Sequence, residues 1–203
     1  MAIYRAFDEV FRSWSHVAVL RTLVDTTTGR TGNEVARLSG MHPLTALKAL
    51  SSLEELGIVH RQRGGRDHIF TLNRDHFLVK NTISIVYQSE KHFEEETYSA
   101  LSNLLKGKTA SVTVFGSTAR HEETSLSDLD ICCIVRADND KEVVRSLLNQ
   151  QSSRLYREFG VKVAPIFFTV SEVKTRKNTP LLRRIAKEGK LLSGKNLEEL
   201  LGS

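Results

Sequence analysis

Apolar residues between Ala2 and Leu23 recur at Ile3, Phe7, Val10, Phe11, Trp14, Val17, Val19 and Leu20, close to helical period, and predict one helix over that stretch. After a TTTGR break, Thr31 and Glu34 have the Thr-x-x-Glu spacing of a capping box, which opens a brief helix through EVARLSG that stops at Gly40. Pro43 fits the first turn of a third helix, in which Leu44, Leu47, Leu50, Leu53 and Leu56 read as one apolar stripe and Gly57 supplies the stop. IVHRQR and RDHIFTL then flank two glycines, the pattern of a β-hairpin.

Three helices followed by a basic hairpin resemble the winged helix-turn-helix domain. LTALKALSSLEELGIVHRQRGGRDHIFTL is similar to its recognition helix and wing, and the resemblance covers residues 1–76. It implies binding to double-stranded DNA. Thr45, Lys48 and Ser52 lie opposite the leucine stripe and are expected to face base edges, while Arg61, Arg63 and Arg66 on the hairpin are expected to contact phosphates.

From Val79 to Leu105 no Gly or Pro interrupts the chain, and Val79, Ile83, Val86, Glu90, Phe93, Thr97, Ala100 and Leu104 follow a 4,3 rhythm. Residues 77–106 are therefore expected to be a linker helix. The rhythm offers a seam for a homodimer, formed through this helix or the N-terminal domain, and equally a face that covers the following domain. Beyond Gly107, strands are predicted at SVTVF, LDICCIV and VKVAPIFFTV, with a helix over about 141–159 between the last two and short helices after Ser171 and Pro180. The expected fold class is α+β: a winged helix-turn-helix over 1–76, the linker helix, and a mixed α/β domain over 107–203.

Composition narrows the setting. Charged residues make up 26% and apolar residues 40% of 203, which excludes disordered and low-complexity classes. No apolar run approaches bilayer length and MAIYRAFDEV lacks a signal-peptide core, so a cytoplasmic location without membrane contact is expected. The two cysteines, Cys132 and Cys133, are neighbours in one apolar run, where a strand points them to opposite faces, and are expected to be reduced packing residues. Phe167 and Phe168 read likewise as core. The net charge of +5 permits a polyanionic partner without demanding one.

The chemistry concentrates in VTVFGSTARHEETSLSDLDICCIV, where Gly116-Ser117 follows one strand, ten residues intervene, and Asp128-x-Asp130 opens the next. Carboxylates two apart on a strand share a face and suit a hard cation such as Mg²⁺. Gly116 lets the backbone approach a phosphate, Ser117 and the following amides can donate to triphosphate oxygens, and Arg120 can add a charge-assisted contact. This Gly-Ser-x10-Asp-x-Asp pattern resembles the nucleotidyltransferase superfamily of DNA polymerase β, and within it the minimal nucleotidyltransferases related to kanamycin nucleotidyltransferase. The resemblance spans roughly residues 107–170. It implies Mg²⁺ on Asp128 and Asp130 as catalytic and metal-binding residues, a nucleoside triphosphate (ATP is the expected one) on Gly116, Ser117 and Arg120, and in-line attack by an acceptor hydroxyl.

One departure bears on activity. Members of the family usually carry a third carboxylate on a later strand, and VKVAPIFFT has none: Lys162 and Ala164 stand where it is expected, and Glu172 lies beyond the strand. The histidines show no metal-ligand spacing, and only His121, beside Arg120, is placed for a site role. Three functions are compatible with these readings. They are a DNA-binding regulator whose second domain binds Mg-NTP and transfers a nucleotidyl group, an inactive regulator of the same build acting by binding alone, and an antitoxin-like enzyme that adenylylates a protein acceptor.

Overall fold

Polar caps decide where the N-terminal helices begin. In the computed structural model, which describes residues 3–65, 67–120, 122 and 127–202, the first helical stretch is two helices, α1 (Ala6–Val10) and α2 (Trp14–Val24). The single helix expected from Ala2 to Leu23 is interrupted because Ser13 turns extended and its hydroxyl accepts the His16 amide at 3.3 Å, starting a new helix. β1 (Arg30–Thr31) leads into α3 (Gly32–Leu38), where the expected capping box is complete: the Glu34 amide donates to the Thr31 hydroxyl at 3.3 Å and the Thr31 amide to the Glu34 carboxylate at 2.7 Å. α4 (Pro43–Glu55) starts on Pro43, as its missing N–H favours.

The chain divides into two units, residues 1–92 and 93–203. In the first, β2 (Val59–Gly64) and β3 (Asp67–Leu72) form the expected antiparallel hairpin with Gly64 opposite Asp67 and Gly65 at φ +64°, and β1 adds a third strand on the other side of β3. The core gathers Leu20, Leu23, Leu50, Leu53, Ile58 and Phe70. Each such burial contributes about 1.5–3 kcal/mol. The five-leucine stripe of α4 is not one face: Leu50 and Leu53 are fully buried, whereas Leu44 and Leu47 are 62% and 42% exposed. A strict three-residue spacing rotates steadily around a helix, and the face that does turn inward is Ala46, Ala49, Leu50 and Leu53.

A π-helical turn, Val79–Ile83, precedes α5 (Ser84–Leu105). Val79, Ile83 and Tyr87 belong to the core of the first unit and Leu101 and Leu105 to a core of the second. The buried spacing is thus four residues at each end, and the 4,3 seam is not continuous: Val86, Glu90 and Phe93 are exposed, with Glu90 ion-paired to Arg21.

The second unit is a four-stranded sheet in the order β6-β5-β4-β7, where β4 is Ser111–Val114, β5 Leu129–Val135, β6 Val163–Thr169 and β7 Lys190–Gly194. A short α6 (Gly116–Ala119) follows β4, and α7 (Asp138–Phe159) connects β5 to its parallel neighbour β6. α8 (Val170–Thr175), α9 (Pro180–Glu188) and α10 (Leu197–Gly202) complete it. Both faces of the sheet are covered. Leu129, Ile131, Cys133 and Val135 pack with Val144, Leu148 and Leu155 of α7, while Cys132 and Ile134 pack with Val173, Leu182 and Ile185. This two-sided burial accounts for the unbroken apolar run of β5. No described helix is long and apolar enough to cross a membrane.

One buried ionisable group makes the stability of the first unit pH-dependent. His16 is 2% exposed, its Nδ1 hydrogen-bonds the Val10 carbonyl at 3.1 Å, and desolvation holds its pKa below the ordinary value. The unfolded chain therefore takes up this proton more readily, so the stability that neutral His16 contributes is present above about pH 6.5 and is lost as pH falls below it. Urea midpoints measured across that range should fall with acidification in the wild type and more shallowly in His16→Gln.

Candidate functional site

The centre of the second unit's candidate site is where β4 ends beside the start of β5. The Phe115 amide donates to the Asp130 carbonyl at 3.0 Å, which brings Gly116 against Asp130. Gly116 has φ +75°, and a β-carbon built there would run into the Asp130 carboxylate. Glycine is required on both counts: a side chain would be strained and would displace the carboxylate. Asp130 is half-buried on β5, directly opposite Ala164 of β6, and shares the sheet face of Cys132 and Ile134. Asp128 is exposed, one residue before β5, while the intervening Leu129 is anchored by its amide to the Lys162 carbonyl at 2.7 Å. Two oxygen-bearing carboxylates at this spacing, one beside a glycine with no side chain, fit a hard divalent cation.

Ser117 is half-buried in α6, and its carbonyl accepts the Arg120 and Glu122 amides at 3.1 and 2.9 Å, closing the turn after Gly116. Arg120 is not a lone cation awaiting phosphate. Its Nε donates to Glu122 at 2.8 Å and its Nη1 lies 3.7 Å from Glu188. Glu188, the last residue of α9, is the neighbour that sequence reading missed, because nothing in the local pattern signals a contact 68 positions away. His121 lies outside the described residues.

No carboxylate stands on β6. Of Lys162 and Ala164, the two residues expected near the place of a third carboxylate, it is Ala164 that stands beside Asp130. Glu172 is engaged elsewhere, capping α8 by accepting the Thr169 amide at 2.7 Å and binding Lys141 at 2.6 Å. The Lys141 hydrogen bond, then the Thr169 amide, hold its carboxyl below the usual range. The described residues contain no group of three His, Cys, Asp or Glu able to hold a metal. Burial pushes Cys132 and Cys133 up to about 12, so neither is a nucleophile at neutral pH.

Residues 95–193 match the family model described as "Nucleotidyltransferase domain". This segment contains Gly116, Ser117, Arg120, Asp128 and Asp130. No curated protein matches the sequence. Among solved structures, the chain is similar to a toxin-antitoxin crystallised with AMP-PNP (20% identity, 52% of this chain and 81% of that one, TM-score 0.37). It is similar also to a mutant of the toxin-antitoxin MntA-HpeT (18% identity, 52% and 80%, TM-score 0.36). A third is the transcriptional regulator SlyA (15% identity, 72% and 77%, TM-score 0.32).

In the first unit, Thr45 and Lys48 are exposed on α4. Ser52 is half-buried and accepts Arg12 Nη2 at 3.0 Å, so its hydroxyl already has a partner. Arg61 Nη1 lies 3.9 Å from Glu54, an acid near the hairpin arginines that sequence reading overlooked because it sits on the preceding helix. Arg63 is exposed, and Arg66 lies outside the described residues.

Gly116→Ala tests the nucleotidyltransferase-domain geometry. Left-handed strain should cost about 1–2 kcal/mol in urea unfolding, and displacement of Asp130 should weaken Mg-dependent ATP binding, read by calorimetric titration, by at least about tenfold, equivalent to ~1.4 kcal/mol.

Proposed function

We propose that the second unit binds a nucleoside triphosphate together with Mg²⁺ and transfers its nucleotidyl group, and that the first is a winged helix-turn-helix that binds double-stranded DNA. The observation that carries the first half is the contact between Gly116 and the Asp130 carboxylate, inside the segment matched to the nucleotidyltransferase domain. Asp128 and Asp130 would hold the cation, which when bound neutralises charge on the α-phosphate and the departing pyrophosphate. Gly116 keeps the backbone open to the triphosphate, and Ser117 is placed to donate to its oxygens. Arg120 is oriented by Glu122 and Glu188, and presents a guanidinium of fixed direction. With Ala164 opposite Asp130, β6 offers no base for the acceptor hydroxyl.

Ala164 also favours a second reading, in which the nucleotide is bound and not turned over. Labelled ATP with Mg²⁺, incubated with the protein alone and with cell extract, separates the two. Label on an acceptor establishes transfer, and a labelled protein partner would identify the antitoxin-like variant of it. Asp128→Asn combined with Asp130→Asn is expected to abolish Mg-dependent ATP binding while the circular dichroism spectrum is kept; equal affinities in wild type and double variant would overturn the metal role.

For DNA, support comes from exposed Thr45 and Lys48 on α4 and the Arg61 and Arg63 side chains on the following hairpin. Arg61→Ala and Arg63→Ala should each weaken binding to all duplexes and reduce the slope of log K against log salt by about one. Thr45 and Lys48 substitutions should change sequence preference instead. Anisotropy titrations at several salt concentrations read both, and salt-independent binding would remove DNA from the assignment.

A further inference from the structure

Strand β6 is one edge of the second unit's sheet, and it pairs only with β5, in parallel. The Leu129 amide donates to the Lys162 carbonyl at 2.7 Å. In that parallel register the amides of Ala164, Ile166 and Phe168 turn toward β5, and those of Val163 and Phe167 turn outward. The carbonyls of Val163, Pro165 and Phe167 turn outward with them. Thr169 is next in this alternation, and its amide is taken by the Glu172 carboxylate at 2.7 Å, which ends the open stretch. Among the described residues no backbone hydrogen bond reaches the outward groups of Val163, Pro165 and Phe167. Pro165 has no N–H to offer, and it stands where only the free side would have received one.

Beside this edge runs a groove of about 330 Å³ between α7 and β6. Leu148 and Leu155 of α7 form its apolar floor with Val163 and Pro165 of β6, and Ser152 and Tyr156 stand on its helical wall. Both ends are cationic. Lys162 Nζ lies 5.9 Å from the centre of the Tyr156 ring, and the Arg145 guanidinium lies 5.0 Å from that of Phe167. Arg145 is paired with Glu142, which is not part of the groove, and no acid lines it among the described residues. The groove is on the α7 face of the sheet, whereas Asp130 shares the face of Cys132 and Ile134, so an occupant leaves the candidate nucleotide site open.

We propose that the β6 edge and the α7 groove dock an extended segment of a partner protein, with apolar side chains at alternate positions and acidic residues at its ends. Added as a further strand, such a segment bonds the outward amides of Val163 and Phe167 and donates to the three outward carbonyls. Its alternate side chains enter the apolar groove, and its acids meet Lys162 and Arg145. A second copy of this chain is a poorer occupant. In the antiparallel pairing of two β6 edges with the longest overlap, Val163 faces Phe167 and Pro165 faces itself, carbonyl against carbonyl with no N–H between them. Edge prolines and lysines oppose such self-pairing, while a foreign strand keeps its own amide to donate to Pro165.

The test is ¹⁵N amide spectroscopy on the full chain, titrated with the peptide acetyl-DDVTVTVDD-amide. Binding should shift the Val163 and Phe167 amides and slow their hydrogen exchange at least about tenfold, while Ala164 and Ile166, already bonded to β5, change little. Ser152→Trp, which fills the groove from an exposed position on α7, should weaken binding at least about tenfold. Lys162→Glu provides a second check that leaves the groove unfilled: it should weaken the acidic peptide and favour acetyl-KKVTVTVKK-amide. N-methylation of the three central residues of the acidic peptide should abolish binding, because its backbone donors are lost. Unperturbed Val163 and Phe167 amides, unchanged affinity in Ser152→Trp, or equal binding of the N-methylated peptide overturns the docking site. Equal binding of the two peptides to the wild type overturns the acidic partner. Protection of Val163 and Phe167 that rises with protein concentration in the absence of peptide overturns the proposal in favour of a second copy.

Discussion

Strand β5 is packed on both faces, and the placement of the candidate site depends on that burial. Its odd-numbered residues from Leu129 to Val135 face α7, and Cys132 and Ile134 face α8 and α9. A register slip of one residue would exchange these sets and turn Asp130 into the α7 core. The cost of burying an unpaired carboxylate among Leu and Val side chains makes such a slip prohibitive. The hydrophobic pattern that stabilises the sheet is thus also what aims Asp130 at Gly116.

Around that point, charge is distributed by pairing. Glu172, the acid nearest in sequence to β6, is committed to a helix cap and to Lys141, and Arg120 is held between Glu122 and Glu188. These pairs are largely solvent-exposed, so their value lies more in orienting side chains than in stability. They leave Asp128 and Asp130 as the carboxylates beside the glycine turn. An acidic pair with a guanidinium in the turn after Gly116 suits a ligand that carries phosphates together with a divalent cation.

Much of this was legible before any coordinates. The capping box at Thr31, Pro43 at a helix start, the two-glycine hairpin and the apolar run 129–135 each rest on interactions within a few residues, and each occurs where the local chemistry puts it. Cys132 and Cys133 fall on opposite faces because strand alternation leaves no other choice. The readings that changed share a cause. The leucine repeat of α4 and the 4,3 rhythm of α5 mark positions capable of burial, and which of them are buried depends on what packs against the helix: Leu44 and Leu47 find no core, while Ala46 and Ala49 do. Ser13 outweighed an apolar period because a hydroxyl at a turn competes directly with the helix for its own backbone amides.

The sequence alone marked α3, α4, the β2–β3 hairpin, β4, β5, α7 and β6, and set Gly116-Ser117 ten residues before Asp128-x-Asp130, since periodicity, caps and short motifs are properties of neighbouring residues. It also showed that β6 has no acid, a matter of composition. Only the tertiary structure decided that Ala164 is the residue beside Asp130, that Glu188 holds Arg120, that β7 is the edge strand next to β4, and that α9 packs on Asp130's face of the sheet. Those relations join residues tens of positions apart. They are selected by strand register and by which apolar face each helix buries, a competition among all the elements of the unit that no local window contains.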